Sequence, residues 1–139
     1  MVASGIVLGS TEPDRLVAWY RAALEPLGAR WEEHMLVVAE GLYVGFDRRD
    51  DVAAKTVEPG RQLVNFGVRD IRAAEAHLNS LHVRWIRPVE AVGWGFMSTV
   101  EDPDGNYLQF IQADTRPDGS DGSDGSESSD RSEQRSERG

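Results

Sequence analysis

Few side chains in this sequence have the types and spacing that chemistry needs. Glu101 and Asp102 are adjacent carboxylates, the kind of pair that could divide acid and base work. They open the run Glu101-Asp102-Pro103-Asp104-Gly105-Asn106, however. Pro103 presets φ there and Gly105 can take a positive φ, so a turn is the expected role. The histidines are His34, His77 and His82. None is spaced from another as metal ligands on one helix face are, so packing or surface roles are expected. With no cysteine there is no thiol nucleophile and no disulfide. Neither a Gly-x-Ser-x-Gly elbow nor a phosphate-binding Gly-Lys loop occurs. No catalytic residue is therefore nominated.

The element after that turn organises the chain. Tyr107 to Ile111 is β-prone, and a strand sends alternate side chains to opposite faces. Leu108 and Phe110 fall on one face; Tyr107, Gln109 and Ile111 fall on the other. A core behind and a binding surface in front is the simplest reading.

The chain has 139 residues, 40% of them hydrophobic, enough for one domain with its own core. No apolar run is long enough to cross a membrane, and the N-terminus lacks a secretory pattern, so a cytoplasmic location is expected. Net charge is −9. Residues 1–113 hold 11 basic and 16 acidic side chains without a basic stripe, which argues against nucleic-acid binding. From residue 114 onward the chain is Ser, Gly, Asp, Glu and Arg without an aromatic or aliphatic side chain, apart from a threonine, a glutamine and a proline. Residues 114–139 are expected to be a disordered acidic tail.

In order, residues 3–10 read as a strand. Thr11 could cap a helix with Leu16, Tyr20, Leu24 and Leu27 on one face, ended by Pro26 and Gly28. Short strands follow near 31–34, 36–39 and 42–47. Residues 48–61 lack pattern and read as a linker or mobile flap. Residues 62–68 are a strand, and Asp70 could cap a helix carrying Ile71, Ala74, Leu78 and Leu81. Strands at 83–86 and 93–100 precede the last one, with 87–92 as a loop.

The pattern repeats. Leu24-x-x-Leu27-x-x-Arg30-Trp31 matches Leu78-x-x-Leu81-x-x-Arg84-Trp85. Gly41-Leu-Tyr-Val-Gly-Phe46 matches Gly105-Asn-Tyr-Leu-Gln-Phe110, and Ile6–Gly9 aligns with Val64–Gly67. The spacing makes the first helix about one turn longer than the second. The chain thus reads as two strand–helix–strand–strand–strand modules, about 1–50 and 61–113.

A tandem βαβββ unit ending in Asp-Pro-Asp-Gly-Asn-Tyr-Leu-Gln-Phe, with Trp94-Gly95-Phe96 ahead of it, resembles the vicinal oxygen chelate superfamily of glyoxalases, bleomycin-resistance proteins and extradiol dioxygenases. The resemblance implies an α+β fold in residues 1–113, in which the two modules form a curved mixed sheet with an open cleft. In the family's metalloenzymes, ligands come from the first and last strands of each module. The corresponding positions here are Gly5, Gly45, Leu63 and Gln109. Glycine and leucine offer no donor and glutamine is a weak one, so neither a metal nor another cofactor is expected.

If Gln109 faces the cleft, alternation and repeat add Tyr107, Tyr43, Asp47 and Asn65, along with Gly5, Gly9, Gly45 and Gly67. Missing side chains leave room for a bulky planar ligand. Tyr43, Tyr107, Trp94 and Phe96 are candidate stacking surfaces; Asp47, Asn65 and Gln109 are candidate orienting groups. The expectation is a metal-free protein that binds a bulky aromatic compound or antibiotic, with sequestration as its role. The family resemblance adds a homodimer whose clefts take walls from both chains. A lyase, isomerase or dioxygenase is the alternative.

Overall fold

The computed structural model describes residues 1, 2 and 4–114; the expected tail beyond Asp114 lies outside the described residues. Module one runs β1 (Gly5–Ser10), α1 (Pro13–Leu24), β2 (Arg30–Glu32), β3 (Met35–Ala39) and β4 (Leu42–Arg48). Module two runs β5 (Val64–Gly67), α2 (Ile71–Ser80), β6 (Arg84–Val92), β7 (Gly95–Glu101) and β8 (Tyr107–Ala113). Each module makes a four-stranded mixed sheet, ordered β1-β4-β3-β2 and β5-β8-β7-β6. This is the α+β architecture of two tandem βαβββ modules.

The repeat extends to register. Ile6 lies opposite Val44 as Val64 lies opposite Leu108, and Val7 opposite Gly45 as Asn65 opposite Gln109. The turns repeat too, with Gly41 and Gly105 both at φ +85°, a left-handed conformation that glycine adopts without a Cβ clash. The extra length in the first helical segment divides between α1, twelve residues against ten in α2, and a 3-10 turn at Glu25–Leu27.

Local chemistry explains the boundaries that differ from sequence expectation. Thr11 does not cap α1. Glu12 holds the N-cap position without a side-chain bond, and the Ser10 hydroxyl accepts the Glu12 N–H at 2.9 Å instead. Asp70 does cap α2, accepting the N–H groups of Arg72 and Ala73. Residues 87–92 are not a loop but continue β6 along β7. Pro88 has no N–H for a ladder, and it falls where the register shifts between Arg87 and Glu90, on the outer strand of the sheet.

One apolar core joins the modules. Leu16, Tyr20, Ala23 and Leu24 of α1 pack with Leu36 and Val44 of the first sheet and with Phe66, Val100, Leu108 and Phe110 of the second. The helices also touch, His77 Nε2 lying 2.9 Å from the Ala22 carbonyl. Trp31 and Trp85 flank the core half-buried. The Arg21 guanidinium stacks over Trp31, and the Trp85 indole donates to Asn79 Oδ1 at 2.8 Å. Arg30 and Arg84 pair with Glu32 and Glu101. Among the described residues no helix is long and apolar enough to cross a membrane.

Candidate functional site at the open sheet faces and the module junction

Because both sheets bury one face in the shared core, their other faces turn away from it. The two sheets are not closed into a barrel. On the first sheet, Val7, Gly45 and Met35 form a row across three strands, with Tyr43 one pair along. This row is apolar and exposed: Val7 is 67% exposed, Met35 40% and Tyr43 36%. On the second sheet the equivalent row is Asn65, Gln109, Thr99 and Arg87. Gln109 Nε2 donates to Thr99 Oγ1 at 3.4 Å, so this face is polar. Beside it lie Tyr107, Glu101 and Arg84, with Arg84 Nε 3.5 Å from Glu101.

The four glycines of these faces do two different things. A Cβ at Gly5 would sit 2.1 Å from the Tyr43 carbonyl oxygen, and one at Gly9 would meet the Arg49 side chain, so both serve close packing. A Cβ at Gly45 would meet only ordinary contacts, Val7 Cγ2 being nearest at 3.6 Å, and one at Gly67 would meet nothing within 4 Å. Only Gly45 and Gly67 leave room.

The nominated residues divide accordingly. Tyr43 and Asp47 stand on the first sheet's open face, where Asp47 is already 3.6 Å from Arg49. Arg49 also binds Asp51, whose hydrogen bond raises the guanidinium above its ordinary value while Asp51 is lowered by the same bond. Asn65, Tyr107 and Gln109 share the second sheet's open face. Trp94 sits in the β6–β7 turn, and Phe96 is on the other face of β7, under Arg72 of α2 with the guanidinium 5.6 Å from its ring. Phe96 thus does not join Gln109. The alternation along β7 carries the reason: Met97, Thr99 and Glu101 oppose Ile111, Gln109 and Tyr107, which leaves Phe96 on the helix side. Sequence reasoning missed Thr99 for want of that count. It missed Arg87 because residues 87–92 read as a loop, whereas they continue β6.

A cavity of about 470 Å³ is lined by residues of both β1 and β5. Ile6, Val7, Leu8, Leu63 and Val64 give it apolar walls, and Tyr107 and Tyr20 also line it, so it adjoins both open faces at Val7 and Tyr107. Thr56, Glu58, Pro59, Arg61 and Gln62 line its rim. This segment, expected to be a linker or flap, is fastened to the Asp102–Asn106 turn. Thr56 N donates to the Asp104 carbonyl at 2.8 Å, Lys55 Nζ donates to that of Pro103 at 2.9 Å, and the Thr56 hydroxyl donates to Asn106 Oδ1.

The turn itself is a buried polar knot. Asp102 accepts from the Tyr20 hydroxyl at 2.7 Å, from the N–H groups of Asp104 and Asn106, and from Asn106 Nδ2. Arg15 reaches Asp104 at 3.1 Å. Burial pushes the Asp102 carboxyl above its ordinary value, outweighing the bonds from Tyr20 and Asn106 that favour its charge. Burial, then the Asp102 charge, pushes the Tyr20 phenol well above its own. The Glu101–Asp102 pair is therefore divided: Asp102 locks the modules together and Glu101 faces Arg84.

The family model of the glyoxalase/bleomycin resistance protein/dioxygenase superfamily matches residues 5–110. The chain belongs to that superfamily. Among solved structures it is similar to TioX from Micromonospora sp. ML1, at 18% identity and TM-score 0.63, over 81% of this chain and 99% of that one. A glyoxylase/bleomycin resistance protein/dioxygenase domain from Frankia sp. EAN1pec is similar at 15% identity and TM-score 0.60, over 82% and 97%. The fosfomycin resistance protein FosX from Listeria monocytogenes is similar at 14% identity and TM-score 0.65, over 82% and 94%. A FosX variant has been crystallised with Mn(II) and a dihydroxypropylphosphonic acid. No curated protein matches the sequence. At these identities the structures share the fold with this chain.

Superfamily metal centres take ligands from the first and last strands of each module. Here register sets Val7 beside Gly45 and Asn65 beside Gln109, with Gly5 and Leu63 one step away. Among the described residues no three His, Asp or Glu side chains come together. This donor set does not fit a divalent ion.

Proposed function

We propose that this superfamily member is a small-molecule-binding protein that holds a bulky, largely aromatic ligand without breaking a bond. The observation that carries the reading is the contrast between two repeat-equivalent rows. Val7–Gly45–Met35 is apolar with room at its centre; Asn65–Gln109–Thr99 is polar at the same positions. A planar ligand could stack on the first and be oriented by the second. In this reading the site is shared between two copies, each lending one face to the other. Sequestration of an antibiotic is the biological role that such a mechanism suits. The other reading, a metal-dependent lyase, isomerase or dioxygenase, draws its support from the Mn(II)-bound FosX variant.

Metal analysis of protein purified without chelator, then offered Ni, Zn, Mn and Fe(II), separates the two. About one tightly held ion per chain would overturn the binding-protein reading. The shared site is tested with a planar aromatic drug found by thermal shift. Gly45→Leu and Gln109→Ala chains should each bind poorly alone. Mixed, they should regain binding, because a mixed dimer has one site with both faces intact. Failure to regain binding, or a monomer in sedimentation, would defeat the shared-site proposal.

A further inference from the structure

We propose that a groove between the modules, beside the start of α2, is the docking site for this chain's own acidic segment, residues 117–130. The groove has a volume of about 490 Å³ and is lined by Leu27, Gly28 and Val38 of the first module and by Val68, Arg69 and Ala73 of the second. It holds none of the side chains of the Val7–Gly45–Met35 or Asn65–Gln109–Thr99 rows. Val68 and Arg69 also line a hollow that runs on to Ile111 and Ala113. The groove therefore opens beside the end of β8. Asp114 N donates to the Trp94 carbonyl there at 2.8 Å, which fixes where the chain departs. A Cβ at Gly28 or Gly67 would meet nothing within 4 Å, so a passing backbone has room against either module.

Charge selects the occupant. Arg69 is exposed in the groove and has no partner among the described residues. The neighbouring Asp70 carboxylate is committed to its helix cap, accepting from the N–H groups of Arg72 and Ala73. The positive end of α2 adds to the Arg69 charge. Residues 117–130 begin three positions beyond Asp114 and carry Asp118, Asp121, Asp124, Glu127 and Asp130 without a basic side chain. Every residue between those carboxylates is Gly or Ser, small enough for a shallow groove. An extended left-handed chain has three residues per turn, so this spacing would put all the carboxylates on one side. Asp118 lies five residues beyond Ala113, a reach of up to ~17 Å, and Ala113 lines the same hollow as Arg69.

The test places a nitroxide on Ser120→Cys in the full chain, which has no other cysteine. Amide signals of Leu27, Gly28 and Ala73, in the groove, should lose intensity. Those of Val92 and Gly93 should not, although the strand that follows them pairs with Ala113 through Gly95 on the opposite side of β8. An undocked segment would sample both sides of its exit alike. Arg69→Glu should restore the groove signals, and so should raising the salt from about 0.05 to about 0.5 M, which shortens the screening length to a few ångström. Circular dichroism checks the fold of the variant; if it fails, the salt series decides alone. Equal loss on both sides, or groove signals that stay weak in folded Arg69→Glu, would overturn the proposal. A labelled chain without ¹⁵N is also mixed with an unlabelled ¹⁵N chain. Loss of groove signals in the second chain would put a neighbouring copy's segment there and overturn the assignment to the chain's own.

Discussion

The Tyr20 hydroxyl donates to Asp102 Oδ2 at 2.7 Å across 82 residues of sequence, joining the helix of the first module to the turn of the second. Both residues are about 3% exposed. The bond lies inside the shared core, where a lost donor is not replaced by water.

Removing that hydroxyl measures the link. Tyr20→Phe keeps the ring in the core but takes one of four donors from Asp102. A loss of about 1.5–3 kcal/mol in urea unfolding is expected, as for a hydrogen bond to a charged group. An unchanged midpoint would show that the bond contributes nothing net.

The same carboxylate sets a pH dependence. Its folded value is raised by burial, so the folded state holds the proton more tightly than the unfolded state does. The contribution of Asp102 to stability is then full below the unfolded carboxylate value, about 3.9, and is lost as pH rises through the folded one. Carbon-detected NMR should find Asp102 titrating above the exposed aspartates. A value below them would reverse the sign.

The glycines separate folding from binding. Gly5→Ala places a methyl against the Tyr43 carbonyl and should destabilise by about 1–3 kcal/mol. Gly45→Leu meets only ordinary contacts at its Cβ and should unfold within a few degrees of the parent while blocking ligand. Thermal scans with and without the planar drug read both effects.

Thr56 fastens the segment between the modules. Thr56→Val removes its hydroxyl bond to Asn106 while keeping the backbone bond to Asp104. Hydrogen exchange of residues 57–62 is expected to quicken, with the core strands unaffected. Equal exchange in parent and variant would mean that the backbone bond suffices.

Local patterning settled much of this molecule before any tertiary contact. The alternation of Tyr107 to Ile111 determined which face is buried, because a strand's period is two. The Leu-x-x-Leu-x-x-Arg-Trp repeat determined two like modules, and Asp70 its own helix cap. Family membership was legible in the turn and strand from Asp102 to Phe110. What the sequence could not decide depends on how the modules meet. Only packing put α1 against the second sheet and so joined the two modules through one core. Only β7's register put Phe96 under Arg72. The placement of the segment between the modules likewise depends on bonds between Thr56 and a turn some fifty residues away, and such long-range pairings leave no periodic trace along the chain.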